Sequence, residues 1–193
     1  MKLLPLLILF AACCMGGDKA RFTKDGALQP PSDYREWIFL SSGLGMTYGP
    51  NAPAAGAPLR FDNVYVNPSS YREFLRSGKW PDGTVLVLEI RESASEGSIN
   101  RHGRYQTTRA AVEANVKDSR RFAGNGWAFF DLTPAMDGRQ PAAKRIPSPN
   151  RCEQCHSTNG AVDNTFVQFY PELIPIAKKY GTFQATAGAA SGH

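Results

Sequence analysis

The sequence predicts an α+β fold, a strand-rich body packed with a few helices, in a single domain. Three observations predict it. Residues 84–90, Thr84-Val85-Leu86-Val87-Leu88-Glu89-Ile90, are apolar on nearly both faces, the pattern of a strand at the centre of a sheet. Residues 67–75 carry helix-start signals, with Asn67 as cap and Pro68 in the first turn or Ser70 and Glu73 as a capping box, and Gly78 ends the segment. The chain has 193 residues, enough for one hydrophobic core without disulfide staples.

Taken in order, the chain begins with Met1-Lys2 and an apolar run to Phe10. That run is shorter than the roughly 20 residues a bilayer-spanning helix needs. It reads as a secretion signal over residues 1–12, which implies export to a periplasmic space. The pair Ala11-Ala12 directly before Cys13 also resembles a lipoprotein processing site, with Cys13 as the residue that would anchor the chain to a membrane. Residues 13–31 read as a linker, residues 32–185 as the folded domain and residues 186–193 as a disordered tail.

Within the domain, residues 33–36 suggest a short helix ahead of the apolar run Trp37-Ile38-Phe39-Leu40, and residues 41–58 form a long Gly-, Pro- and Ala-rich loop. Residues 61–66 are strand-like, and Pro81-Asp82-Gly83 is a turn into the central strand. Residues 110–117 have alanines that suit a helix, yet Ala110, Val112, Ala114 and Val116 alternate with Ala111, Glu113, Asn115 and Lys117, which favours a strand. Residues 127–132 are a further, aromatic strand. Near the end, Phe166, Phe169, Tyr170, Leu173 and Ile176 recur at helical spacing, with Pro171 and Pro175 expected to break or bend that helix.

The chemistry concentrates in Cys152-Glu153-Gln154-Cys155-His156, the pattern of c-type haem attachment. Two thiols separated by two residues reach the two vinyl groups on one edge of the macrocycle, and the next residue supplies an imidazole to the iron. Structural zinc calls for four ligands, usually two such pairs, and the sequence has one, with His102 and His193 the other histidines. A thioredoxin-like pair would open a helix within a βαβ unit, which this region lacks. A disulfide between Cys152 and Cys155 would close a very small ring. Cys13 and Cys14 belong to the signal and anchor region.

The net charge is +5, with basic residues interleaved among acidic and apolar ones. No basic block is paired with an aromatic platform, which excludes a nucleic-acid partner.

The segments Tyr34-Arg35-Glu36-Trp37, Val64-Tyr65-Val66-Asn67-Pro68, Asp82-Gly83-Thr84-Val85, Val116-Lys117-Asp118-Ser119 and Phe166-Val167-Gln168-Phe169-Tyr170-Pro171, together with the haem motif, resemble the cytochrome P-460 family, which includes the cytochromes c′-beta. The resemblance spans nearly the whole mature chain. It implies a mainly antiparallel sheet, a homodimer, and a haem c whose iron has one open side. Members that oxidise hydroxylamine carry a lysine bonded to the macrocycle at the position held here by Leu88, which cannot form that bond. A pocket glutamate of those members falls on Glu113. Glu113 therefore has two readings, a proton-handling group above the iron or a solvated carboxylate on the polar face of a strand. Leu88 likewise is either pocket lining or sheet core. A pocket arginine of some members falls on Asp62.

Three functions follow from these residues. The first is capture of a small ligand such as nitric oxide at an open iron site. The second is oxidation of hydroxylamine, with electrons passed to a partner cytochrome. The third is electron transfer through a six-coordinate haem, for which Met46, Met136 and His102 are the candidate sixth ligands in the mature body, besides Met15 and His193.

Overall fold

The computed structural model describes residues 18–47 and 57–184. The signal segment, Cys13, Cys14, Met15, residues 48–56 of the long loop and the C-terminal tail with His193 lie outside the described residues.

Five strands form one antiparallel sheet in chain order: β3 (Ile38–Leu44), β4 (Arg60–Val66), β5 (Val85–Ala94), β6 (Tyr105–Lys117) and β7 (Trp127–Asp131). The run over residues 84–90 is thus the middle strand, as its two-sided hydrophobicity requires. Helix α1 (Pro68–Ser77) connects β4 to β5 and ends at Gly78, whose φ of 67° is the left-handed conformation of a helix stop. Asn67 stands at the N-cap position but caps nothing with its side chain. Fully buried, it accepts a hydrogen bond from the Val85 N–H at 2.8 Å and donates to the Gly83 carbonyl at 3.2 Å, tying the helix start to β5. Asp18 supplies the missing acceptor for the helix start, taking the Ser69 N–H at 2.5 Å and the Ser69 hydroxyl at 2.8 Å.

The alternation over residues 110–117 resolves as strand. Val112, Ala114 and Val116 are buried on one face, and Glu113, Asn115 and Lys117 project from the other. Each face of the sheet has its own core. On the first lie Val85, Val87, Val112, Ala114 and Phe130 with Leu28, Tyr34 and Trp37. On the second lie Leu86, Trp127 and Phe129 with Phe74, Trp80, Tyr170 and Leu173.

Two expectations are corrected. Residues 18–31 are not wholly linker: β1 (Arg21–Phe22) pairs with β2 (Leu28–Gln29), and Leu28, 1% exposed, seals the first core and exchanges backbone hydrogen bonds with Ala143. A linker composition concealed one deeply anchored leucine. The long loop begins later than expected, because β3 continues through Leu44 by pairing with β4. The C-terminal helix is interrupted, as the prolines imply: a 3-10 turn at Val167–Phe169 is followed by α4 (Ile174–Lys179), with Pro175 in its first turn. The segment at residues 33–36 is likewise a 3-10 turn, Tyr34–Glu36, and a short α2 (Thr133–Met136) follows β7. Among the described residues, no helix is long and apolar enough to cross a membrane.

Candidate functional site

The five-residue motif lies on helix α3 (Arg151–Asn159). Asn150 caps this helix by accepting the Glu153 N–H at 2.9 Å. The Glu153 carboxylate then takes the Ser148 hydroxyl at 2.7 Å and pairs with Arg145 at 3.2 Å. Arg145 and Ile146 run along β7, where the Ile146 N–H donates to the Phe129 carbonyl at 2.9 Å. The first turn of α3 is therefore fastened to the edge of the sheet. Helical spacing does the rest: Cys152 and Cys155 stand three residues apart, and His156 four beyond Cys152, so all three project from one face.

That face closes a cavity of about 220 Å³ against the second face of the sheet. Cys152, Cys155 and His156 line one wall, and Val64, Leu88 and Glu113 line the other. Register explains the sheet wall. Val64 pairs with Leu88 and Leu88 with Glu113, so one rung of three adjacent strands faces the motif. Cys152, Cys155, His156, Leu88 and Glu113, all singled out from sequence, thus meet in one cavity.

His156 is held in a defined state. Its Nδ1 lies 2.9 Å from the Asn164 carbonyl oxygen. A carbonyl only accepts, so the proton sits on Nδ1 and Nε2 keeps its lone pair, the tautomer an axial ligand requires. The Asn115 amide nitrogen is 3.4 Å from the same Nδ1, a longer and weaker contact. Phe129 and Phe166 flank the ring with centroids at 4.8 and 4.3 Å. Burial pushes the imidazole pKa down, and the hydrogen bond to Asn164 partly opposes that shift.

The Asn164 carbonyl owes its position to a tight reversal. Asp163 and Asn164 adopt left-handed φ values of 47° and 59°, and Val162 bridges to Thr165. The Trp80 indole N–H donates to the Thr165 hydroxyl at 2.9 Å, and Lys117 pairs with Asp163 while donating to the Trp80 carbonyl. At Gly160 a Cβ would lie 2.6 Å from the Asn164 carbonyl carbon and the Thr165 nitrogen, so the reversal packs on that glycine.

The two titratable groups bracketing the cavity are shifted in the same direction. Burial pushes the Glu113 carboxyl up, and the Asp131 and Asp62 carboxylates add to it. Burial also pushes the Cys152 thiol up, helped by the charge of Glu113. Both cysteines are free thiols.

Of the candidate sixth ligands among the described residues, Met46 alone lines this cavity. Its thioether lies over β3 where Gly43 has no side chain; a Cβ there would stand 2.2 Å from the sulfur. Met136 packs against the core on the opposite face, and His102 is exposed in the connection between β5 and β6.

The profile of the family described as Cytochrome P460 matches residues 31–167, from just before the first 3-10 turn to just past the motif. The chain belongs to the cytochrome P460 family. No curated protein matches it. Membership in the cytochrome P460 family makes the chain a haem-binding cytochrome, and the residues present fit that group. Two free thiols and an imidazole whose Nε2 carries no proton share the wall of one cavity, and the facing sheet wall is mainly apolar.

Sequence reasoning missed Asn164, Gly160, Phe129 and Asn115. The left-handed pair Asp163-Asn164 is legible as turn chemistry. Which carbonyl that turn presents to His156 depends on the packing of Trp80 and Lys117, which lie 85 and 46 residues before their partners Thr165 and Asp163, and no local pattern carries it.

Proposed function

We propose that this chain is an exported mono-haem c cytochrome that binds small neutral ligands such as nitric oxide on the open side of its iron. Bound haem would supply an iron able to take up such a ligand. Cys152 and Cys155 would hold the macrocycle through thioethers, and His156 would give its nitrogen to the iron, with the ring orientation fixed by the Asn164 carbonyl. Leu88 keeps water from the ligand side, and Glu113 stands where it can hand a proton to a ligand atom or take one back.

The observation that carries this reading is the single cavity that joins the thiols and imidazole on one wall to Leu88 and Glu113 on the other. Optical spectra of the matured protein, recorded with and without nitric oxide, test it. A spectrum that shifts on adding nitric oxide supports an open site, and a ligand-inert six-coordinate spectrum contradicts it.

Two alternatives each have an observation behind them. Met46 in the cavity favours an electron-transfer cytochrome with a methionine sixth ligand. The raised Glu113 carboxyl favours an enzyme that oxidises hydroxylamine and passes electrons to a partner cytochrome, although Leu88 removes the lysine cross-link of the members known for it. Export through residues 1–12, a lipid anchor at Cys13 and assembly as a homodimer complete the proposal. Mass spectrometry of the mature N-terminus and sedimentation of the purified protein check them.

A further inference from the structure

Lys117 closes β6 on the face that carries Glu113 and Asn115, and its backbone is fixed on both sides. Its N–H donates to the Thr84 carbonyl at 2.9 Å, and its carbonyl accepts the Gly83 N–H at 2.8 Å. From this base the side chain, 18% exposed, reaches the reversal behind the haem motif. Its ammonium donates to the Trp80 carbonyl at 2.8 Å, pairs with the Asp163 carboxylate and lies 5.9 Å from the centre of the Trp127 ring. Asp163 immediately precedes Asn164, whose carbonyl meets His156 Nδ1 at 2.9 Å. The Trp80 indole holds the other flank of the reversal through the Thr165 hydroxyl. Lys117 thus ties both flanks to the end of one strand, Asp163 directly and Thr165 by way of Trp80. Removing one partner of a mostly buried ion pair is costly, so this tether is stiff where a surface pair would be loose.

We infer that Lys117 is a positioning residue for His156, holding the Asn164 carbonyl on Nδ1 through Asp163 and so lowering the reduction potential of the haem-loaded protein. This rests on the haem reading above, in which His156 gives Nε2 to the iron. A carbonyl that accepts from Nδ1 makes Nε2 a more basic ligand, and a more basic ligand favours ferric iron over ferrous. Loosening the carbonyl therefore raises the potential. The charge of Lys117 by itself acts in the opposite direction. A cation near the iron disfavours the ferric state, so its removal lowers the potential. The two roles are separated by sign.

Redox titration of the haem-loaded protein tests this on wild type, Lys117→Met, Lys117→Arg, Asp163→Asn and the double variant Lys117→Met/Asp163→Asn. Asparagine keeps the size of aspartate and tolerates the left-handed φ of 47° at this position, so Asp163→Asn removes the charge and little else. The potential is expected to rise in Lys117→Met and in Asp163→Asn, by roughly a threefold change in the ferrous-to-ferric ratio. The double variant should rise no further than the larger single, because both substitutions break one tether. Lys117→Arg, which keeps the ion pair, should stay near wild type. An unchanged potential in Lys117→Met, whatever its stability in urea, makes Lys117 purely structural, and a lowered one makes it a charge acting through space. Either result overturns the positioning role and leaves the haem reading intact. A wild-type protein that matures without haem overturns that reading instead. Should Lys117→Met fail to load with haem, Lys117→Gln, which keeps a donor for the Trp80 carbonyl, carries the same comparison.

Discussion

Two glutamates on adjacent strands show what separates the two faces of this sheet. Glu89 on β5 points into the first core, where it is 2% exposed. It accepts hydrogen bonds from the Tyr34 hydroxyl, from Arg35 Nε at 2.9 Å and from Arg91 at 3.2 Å. Burial alone would raise its carboxyl, but the donors from Tyr34 and Arg35 and the charge of Arg35 hold it below the ordinary glutamate value. Glu113 on β6 points to the opposite face, into the cavity, and has two carboxylates for company, which with burial hold it above that value. The same residue type is therefore a structural anion on one face and a group ready to hold a proton on the other. A carboxylate that is buried and fully paired serves the fold; one that is raised, faces a cavity and is opposed by its neighbours serves chemistry.

The comparison can be broken most forcefully at Glu89. Glu89→Ala leaves the Tyr34 hydroxyl without its acceptor and takes from Arg35 and Arg91 their carboxylate partner, and is expected to cost about 3 kcal/mol in urea unfolding. Its pH dependence has a definite sign. The folded-state value lies below the unfolded one, so the contribution of Glu89 is present above the ordinary glutamate range and is lost as pH falls through the depressed value. A wild-type to Glu89→Ala stability gap that did not shrink on acidification would place the role of Glu89 elsewhere.

Gly160→Ala sharpens the cavity side. The added methyl must displace the Asn164 reversal, at an expected cost of about 2 kcal/mol. Because that reversal carries the carbonyl on His156 Nδ1, the reduction potential of the haem-loaded protein should move as well. A stability loss with an unchanged potential would separate Gly160 from the orientation of His156.

Met46→Leu comes next and tests whether the cavity is open. Leucine conserves volume, so the cost should stay under about 1 kcal/mol and the visible spectrum should not change. A change of coordination seen in that spectrum would instead make Met46 an axial ligand.

Glu113→Gln has the smallest effect on stability, and its sign opposes that of Glu89. The folded-state value lies above the unfolded one, so ionisation of Glu113 costs stability as pH rises through the unfolded and then the folded value. Glutamine removes that cost. The variant should match wild type at low pH and gain roughly a few tenths of a kcal/mol at neutral pH, a small figure because Glu113 remains accessible to water.

Periodicity made most of the sheet legible. The two-sided run at residues 84–90 placed the middle strand, and the alternation at residues 110–117 placed β6 with Glu113 on the face away from Val112. The haem motif is local chemistry, three residues whose spacing is their function, so Cys152, Cys155 and His156 could be named from sequence alone. Leu88 and Glu113 were reached through resemblance, and the strand register explains why they belong together. What escaped was tertiary in origin. Leu28 sits in a segment of linker composition and is fixed by Ala143 far along the chain. Asn67 has the look of a helix cap, yet its side chain is spent on β5, and Asp18 does the capping from a segment that resembled a tether. The partners of Glu89 and the carbonyl behind His156 are likewise brought together only by folding.

The central claim is a covalent haem on Cys152 and Cys155 with His156 beneath the iron. Intact-mass measurement under denaturing conditions tests it most directly, on protein produced in an export-competent host with a working c-type cytochrome assembly system. The account predicts a red protein whose mass exceeds the polypeptide by one haem, and loss of that increment when both cysteines are replaced by serine. A colourless protein at the bare polypeptide mass would contradict it.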